Sequence, residues 1–353
     1  MGVPRRDLLV TTVIPTFRRP KQLRRAIRSV LSQTYPHFRV CVYDNASGDE
    51  TPSVVDEFAR RDGRIKYTRR PENIGACRNF ADAAARIDTP FFSFLSDDDV
   101  LLPNFYETAL AGFEQFPDAM MSATACVHIN ELGEVSNVPI LNWRPGLYLP
   151  PRGLLTMVEN GHPEWTSVLF RRELLTAIGP PDTELGGPFD LDFELRAAAR
   201  FPMAVSLQPG ALFVIHKDST GILGGLDSLC PGWYKMTCKI AADDTIPRKA
   251  RSQAAHLLSR SITRMLLRSS LSLTASGDWL RADQAIGYLA NYCRITPRLL
   301  KLLVKACRRF EPLRQTMSGG IAFRRFIFGS SAVLARDKEL QSQFGAYARC
   351  LEL

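Results

Sequence analysis

No run of ~18 consecutive apolar residues occurs anywhere in the 353 residues, so no helix is expected to span a membrane. No export signal is expected either. Arg5 and Arg6 precede an apolar stretch, but Leu8 to Ile14 is short and interrupted by Thr11 and Thr12, which reads as a first strand. The eight cysteines contain no Cys-x-x-Cys pair and no regular spacing. That pattern fits the reduced thiols of a cytosolic protein better than the paired disulfides of an exported one. Internal repeats and low-complexity segments are absent. Hairpin signals are few, which disfavours an α+β sandwich. Basic excess is missing from the first two thirds: up to Ile240, 26 Lys and Arg stand against 28 Asp and Glu, whereas from Ala241 onward 19 stand against 8. The whole positive balance therefore lies in the last third, which marks a boundary and bears on the partners of that region.

What is present supports a large core, with 45% hydrophobic and 23% charged residues. β-Branched Leu9–Ile14, bounded by Pro15, reads as a buried strand, and Leu23, Ile27, Val30 and Leu31 then recur at helical spacing. Phe38–Tyr43 is a second strand, followed by the polar loop Asp44–Asp49 and a helix through Val54, Val55 and Phe58. A short strand at Ile65–Tyr67, a turn at Asn73–Gly75, a helix over Cys77–Arg86 and a strand at Phe91–Leu95 complete the series. Strands separated by ~10–15-residue helices imply βαβ units and a mostly parallel, doubly wound sheet. Val135–Pro151 reads as long loops or short antiparallel strands. Gly186, Gly187 and Pro188 break the chain before a helix over Phe189–Arg200, and a last strand, Ala211–Ile215, ends at His216. Beyond Asp243 the pattern is helical and strandless. Arg260, Arg264 and Arg268 form one basic stripe, and Arg298, Lys301, Lys305 and Arg308 another, beside an apolar face at Leu299, Leu303, Ala306 and Phe310. Residues 1–240 are expected to form the α/β domain. Residues 241–353 are expected to form a basic helical extension that lies on a membrane surface, packs on the domain or makes an oligomer.

Asp97, Asp98 and Asp99 follow the apolar run Phe91–Leu95 directly. Three adjacent carboxylates at the end of a buried strand repel one another, and a divalent cation offsets that repulsion. Mg²⁺ and Mn²⁺ prefer oxygen ligands and often take only one or two protein carboxylates when phosphates supply the rest. The C-terminal end of a strand in an open α/β sheet is also where ligands bind. The competing structural reading is that Ser96 caps a helix whose N-terminus the aspartates favour.

Several motifs in order carry a resemblance. Val13-Ile14-Pro15-Thr16-Phe17-Arg18-Arg19, followed by Leu23, Ile27, Ser29-Val30-Leu31 and Gln33-Thr34-Tyr35 and then by Val42-Tyr43-Asp44-Asn45-Ala46-Ser47-Gly48-Asp49, resembles the nucleotide-binding half of the family 2 glycosyltransferases. Asn73-Ile74-Gly75-Ala76-Cys77-Arg78-Asn79 resembles the family's Asn-x-Gly…Arg-Asn segment. Phe94-Leu95-Ser96-Asp97-Asp98-Asp99-Val100-Leu101-Leu102-Pro103 resembles its metal-binding strand end, although Ser96 stands where many relatives carry Asp. Phe189-Asp190-Leu191-Asp192-Phe193-Glu194-Leu195-Arg196 resembles its Glu-Asp-x-Asp…Arg stretch, with Phe189 in place of the usual Glu. The resemblance covers about the first 220 residues.

The resemblance implies a GT-A-type fold with a C-terminal helical extension, and an inverting, metal-dependent sugar transferase. By it, Pro15, Thr16, Arg18, Asp44 and Asn45 hold the nucleobase and ribose, and Asn73 and Arg78 serve the donor's sugar and diphosphate. Asp97 and Asp98 are shared between ribose and metal without being ordered. Asp99 is the direct ligand of a divalent Mn²⁺ or Mg²⁺ ion, helped by Asp97 and His216. Asp190 is the general base, with Asp192 and Glu194 as alternatives. Trp165, Thr166 and Asp192 line the acceptor site. The expected donor is a UDP-sugar, and the expected acceptor is a hydroxyl of a glycan or lipid-linked glycan in polysaccharide or glycoconjugate biosynthesis. No nucleic-acid partner is expected, and the protein is expected in the cytoplasm, peripheral on the inner membrane face. A nucleotidyltransferase would share the sheet but needs a glycine-rich first loop that Pro15-Thr16-Phe17-Arg18 does not supply. A non-catalytic sugar-binding module would leave Asp97–Asp99 and Asp190 without a purpose.

Overall fold

The computed structural model describes residues 9–216, 225–292, 296–324 and 330–352. Arg5, Arg6 and Leu8 lie outside them. The chain divides into two compact units. The first holds Met1–Glu184, Phe189–Lys217 and Leu340–Leu353, and the second Leu185–Pro188 and Asp218–Glu339. The charge boundary between Ile240 and Ala241 does not coincide with this division, because both residues sit inside one helix, Gly225–Ala242.

The first unit opens with β1 (Val10–Thr16), α1 (Pro20–Leu31), β2 (Phe38–Asp44), α2 (Thr51–Ala59), β3 (Ile65–Arg69), α3 (Ala76–Ala84) and β4 (Phe91–Phe94). Every residue of β1 is buried, as befits a central parallel strand covered on both faces. In α1 the buried side chains Leu23, Ala26, Ile27 and Val30 recur at three- and four-residue spacing, and Pro20 fills the first turn, where no backbone donor is needed. β1 pairs in parallel with β2 and, on its other edge, with β4. β2 pairs in parallel with β3.

The chain continues through β5 (Val100–Leu101), α4 (Phe105–Gln115), β6 (Met121–Asn130), β7 (Val135–Asn137), β8 (Gly146–Tyr148), α5 (Arg152–Asn160), β9 (Val168–Arg171), α6 (Glu173–Ile178), α7 (Phe189–Arg200) and β10 (Met203–Ile215). The sheet order is β3-β2-β1-β4-β9-β6-β10-β5, with β7 on β6 and β8 on β10. Its long pairings, including β6 with β10, are parallel. The short ones made by β5, β7, β8 and β9 are antiparallel. The sheet is thus mostly parallel and doubly wound, and the irregular middle of the sequence supplies its antiparallel additions.

The strand order reverses between β1 and β4. Connections from β1 run outward to β2 and β3, and the chain then returns to the other side. Such a reversal opens a crevice at the carboxyl ends of the strands, and ligands bind there in open α/β sheets. Thr16 ends β1, Asp44 ends β2 in register with it, and Leu95 prolongs β4 through a hydrogen bond from its N–H to Val13 O (2.9 Å). Asp97–Asp99 follow at once. Beneath them, Phe94 touches the rings of Phe80, Phe92, Trp165, Phe170 and Phe193. The last residues return to this unit: Gln341 accepts from the Val135 N–H (2.7 Å) and donates to Gly133 O (3.1 Å).

The second unit is helical over its described residues, with Arg248–Ser276 the longest helix. Cys230, Ile262, Leu266, Ile286, Leu289 and Leu300 are among the residues of its own core. None of the helices among the described residues is long and apolar enough to cross a membrane. In the helix Thr296–Arg309, Leu300, Val304 and Cys307 are buried. Leu303 and Ala306 are half-buried, whereas Leu299 and Phe310 are exposed. The apolar face expected at Leu299, Leu303, Ala306 and Phe310 is therefore divided between the core and the surface.

Candidate active site

The three adjacent aspartates occupy three environments. Asp97 accepts from Thr16 Oγ1 (2.7 Å) and from the Arg19 guanidinium (3.2 Å). Burial, and next the charge of Asp98, push its carboxyl up to about 6, against the pull of Arg19 and Thr16. Asp98 Oδ2 lies 2.6 Å from Arg19 Nη1 and 3.0 Å from His216 Nε2, and the Asp98 carbonyl accepts from Arg25 (2.6 Å). Asp99 is the deepest of the three, at 1% exposure. Its Oδ2 accepts from Thr166 Oγ1 (2.7 Å) and its Oδ1 from the Val214 N–H of β10 (2.9 Å). Burial raises its carboxyl well above the usual range.

Both Asp99 oxygens accept from protein donors in the interior, so Asp99 fastens the strand end to β10 and to Thr166. Asp98 and His216 are the pair that faces one another, and Arg19, which the sequence reading left without a role, bridges Asp97 and Asp98. Among the described residues no group of three or more His, Cys, Asp or Glu side chains is arranged to hold a metal ion.

At the end of β2, Asp44 is fully buried. Its Oδ1 accepts from the Ser47 N–H (2.9 Å) and hydroxyl (2.5 Å), and its Oδ2 accepts from Tyr67 OH (2.7 Å). The carboxylate closes an Asx-type turn. Arg18 joins the same turn: its N–H donates to Ser47 Oγ (2.9 Å) and its Nε to Ser47 O (3.2 Å). Arg18 and Ala46 both hold positive φ, +56° and +61°, a conformation rare for residues with a side chain and frequent at functional turns. Asn45 Nδ2 donates to Asn73 Oδ1 (2.8 Å), and Asn45 Oδ1 accepts from the Ile74 N–H (2.9 Å). Thr16, Arg18, Asp44, Asn45 and Asn73 are thereby brought together. Pro15 pairs with Tyr43 one residue behind this rim. Arg78 stands exposed on α3.

Asp190 lies in the first turn of α7 and is half-buried. Burial first, and the nearby Glu164 charge, lift its carboxyl to about 6, while a hydrogen bond from the Leu191 N–H pulls the other way. Glu194, one turn on, shares its helix face. It is 1% exposed, its Oε1 has no hydrogen-bond partner, and its Oε2 lies 3.8 Å from His162 Nδ1. Burial, then Asp190 and Glu164, raise its carboxyl well above the usual range. Glu164 behaves oppositely. Burial opposes its charge, but the His128 hydrogen bond (3.0 Å) and the His162 charge outweigh it and hold the carboxyl below its usual value. Sequence reasoning missed Glu164, His128 and His162 because His128 lies on β6, far in sequence from the His162–Glu164 segment, and no motif joins them.

The three residues expected at the acceptor site all have partners within the fold. Trp165 is buried, stacked on Phe94 at 4.5 Å and edge-on to Phe189 at 5.2 Å. Thr166 holds Asp99. Asp192 is buried on the opposite side of α7 from Asp190 and accepts from Arg196 (2.7 Å). Phe189 packs on Trp165 and Phe80 and gives Asp190 an apolar neighbour.

Residues 11–179 match the family model described as Glycosyl transferase family 2. Among curated proteins, a GalNAc(5)-diNAcBac-PP-undecaprenol beta-1,3-glucosyltransferase of Campylobacter jejuni is 32% identical over 102 residues, covering 29% of this chain and 33% of that protein. Protein CgeD of Bacillus subtilis is 27% identical over 139 residues, covering 35% of this chain and 31% of its own length. The chain thus spans about a third of each of these relatives. Among solved structures, S. aureus TarS 1-349 in complex with UDP-GlcNAc superposes with a TM-score of 0.63 at 14% identity, over 89% of this chain and 91% of that one. The mannosyltransferase PcManGT from Pyrobaculum calidifontis, in complex with GDP-Man and Mn²⁺, superposes with a TM-score of 0.54 at 16% identity, over 90% and 87%. At such identities the two structures share the fold.

Proposed function

Residues 11–179 belong to glycosyl transferase family 2, and from that premise we propose that the chain moves a sugar from a UDP-sugar to an acceptor hydroxyl with inversion at the anomeric carbon. The observation that carries the reading is the strand-end cluster at the β1/β4 reversal, where Thr16, Arg19, Asp97, Asp98 and His216 meet. The nucleoside is held by the rim of Thr16, Arg18, Asn45 and Asn73. Asp44 acts through the turn it closes, since its oxygens already bond Ser47 and Tyr67. Arg78 meets the diphosphate or the sugar. UDP is chosen because the TarS complexes contain UDP or UDP-GlcNAc.

A divalent cation fits this site with two protein ligands, Asp98 and His216. A carboxylate oxygen and an imidazole nitrogen already share one point there, and no third protein ligand joins them among the described residues. Mg²⁺ and Mn²⁺ accept such sparse protein ligation when phosphates and water complete the shell. When bound, the ion supplies charge neutralisation of the departing diphosphate. The chain's own residues do the rest. Arg19 holds Asp97 and Asp98 in place. Asp190, with a carboxyl near 6, is ionised at neutral pH and basic enough to take the acceptor proton as that oxygen attacks. Glu164 keeps a negative charge near Asp190, and Phe189 gives the acceptor pocket an apolar wall. The acceptor is a glycan or lipid-linked glycan, met at a membrane surface, in line with the undecaprenol-linked substrate in the name of the Campylobacter relative.

The test is a panel of UDP-, GDP- and dTDP-sugars, followed by thermal shift and nucleotide release with Mn²⁺ or with chelator. The wild type should be stabilised by a UDP-sugar only with Mn²⁺, and Asp98→Asn should lose that response. A chain that neither binds nor cleaves any nucleotide-sugar overturns the proposal.

A further inference from the structure

The helix Thr296–Arg309 carries three sectors. Leu300, Val304 and Cys307 are buried in the second unit. Arg298, Lys301, Lys305 and Arg309 are exposed on a second side, and the helix contains no acidic residue to balance them. The third sector is apolar and still in solvent: Leu299 is 62% and Leu302 63% exposed, and just past the helix end Phe310 (58%) and Leu313 (41%) are exposed as well. Arg308 does not belong to the free basic set, since it pairs with Asp283 at 2.8 Å and lies over the Trp279 ring. A helix that already has a buried face has no folding reason to expose two leucines beside four cations.

We propose that this face docks on an anionic lipid surface, with Leu299, Leu302, Phe310 and Leu313 entering the headgroup–acyl boundary. Arg298, Lys301, Lys305 and Arg309 meet lipid phosphates alongside. Exposed leucines flanked by Lys and Arg are the composition of helices that lie in the interface plane. Basic side chains reach the headgroups while their stems stay apolar. Charge complementarity selects this occupant over a second copy of the chain, because an isologous pairing of the face would set these cations against their own copies. The inference rests on the proposed function only for the acceptor being lipid-linked; membrane docking itself is read without any sugar transfer.

The experiment is co-sedimentation of the full chain with phosphatidylcholine vesicles and with vesicles containing one-quarter phosphatidylglycerol. Binding to the anionic vesicles only is expected at 0.1 M salt, and its loss at 1 M, where the Debye length falls from ~10 Å to ~3 Å. Lys301→Gln with Lys305→Gln should weaken binding about 25-fold, at about fivefold per near-surface cation. Leu299→Gln with Leu302→Gln should weaken it at least about tenfold without lowering the melting temperature, as both residues are solvated in the folded chain. Equal pelleting with neutral and anionic vesicles, no pelleting with either, or leucine variants that bind like wild type would each overturn the proposal. So would a dimer in analytical ultracentrifugation that the leucine variants dissociate. No nucleotide-sugar is present, so failure here leaves the transferase reading untouched, and failed turnover leaves vesicle binding untouched.

Discussion

Replacing Asp99 and Asp98 separately should produce opposite phenotypes. Asp99→Ala removes the acceptor of two buried donors, the Val214 N–H at 2.9 Å and the Thr166 hydroxyl at 2.7 Å. A buried donor left unsatisfied costs about 1–3 kcal/mol, so this variant should lose about 2–5 kcal/mol. For a domain of this class that is a fall in melting temperature of roughly 5–15 °C. Asp99→Asn keeps one oxygen for Val214, lets Thr166 accept from the new amide and removes one of three crowded negative charges. It should stay within about 1 kcal/mol of wild type. Asp98→Asn breaks no buried backbone bond, since the Asp98 carbonyl that accepts from Arg25 remains. It should melt near the wild-type temperature yet lose the Mn²⁺-dependent stabilisation by UDP. The assay is urea unfolding at constant m-value, alongside thermal shift with UDP, with and without Mn²⁺. An Asp99→Ala chain that unfolds like wild type but no longer responds to Mn²⁺ would refute the reasoning and return the ligand role to Asp99.

Asp190→Asn should retain UDP-sugar affinity and lose about 10²–10⁴-fold in transfer; loss of donor binding, measured calorimetrically, would contradict a role on the acceptor proton. Because the Asp190 carboxyl lies near 6 and a base must be ionised, kcat/KM for the acceptor should rise with pH up to about 6 and then level off; a profile flat from pH 4.5 to 7.5 would exclude Asp190 as the titrating base. The same shift gives Asp190 a destabilising sign: the folded state holds its proton more tightly than the unfolded chain, so its contribution falls as pH rises from the unfolded value toward 6. Gly210→Ala should destabilise the first unit by about 1–3 kcal/mol, because an added Cβ would sit 2.2 Å from Thr124 Oγ1 and 3.0 Å from the Phe105 ring. A urea midpoint equal to wild type would count against that packing.

The parallel half of the fold was legible because its signals are local. Leu9–Ile14, the Leu23/Ile27/Val30 stripe and Phe38–Tyr43 each display their period within a dozen residues, and the structure places a strand, a helix and a strand there. β5 was not legible, and β7 and β8 were legible only as one of two readings of Val135–Pro151, loops or short antiparallel strands. Two or three residues are too few for a period, and their strand character comes from the long neighbours they pair with. The charge boundary and the unit boundary differ because net charge reports the surface, whereas the division of the chain follows contacts. The helix Gly225–Ala242 spans the charge break without noticing it. Motif reading likewise found Asp190 and the aspartate triplet but not Glu164, His128 or His162. His128 meets the His162–Glu164 segment only through the tertiary arrangement.

The aspartate triplet shows how far a pattern of residue types can be taken without coordinates. Like charges in adjacent positions demand compensation, and the sequence argument supplied one compensator, a cation. The structure supplies several, sorted by direction. The three residues lie in the turn after β4, which the Asp99 N–H closes onto Ser96 O (3.1 Å), and their side chains leave it in different directions: Asp97 to Thr16, Asp98 to His216, and Asp99 to Thr166 and the Val214 N–H, while Arg19 spans the first two. Only Asp98 then keeps a carboxylate oxygen beside an imidazole. The deepest of the three carboxylates is spent on fixing the strand end that aims it. A site that binds a charged ligand needs such rigidity, because a carboxylate free to relax toward solvent would lose the preorganisation that makes its charge effective.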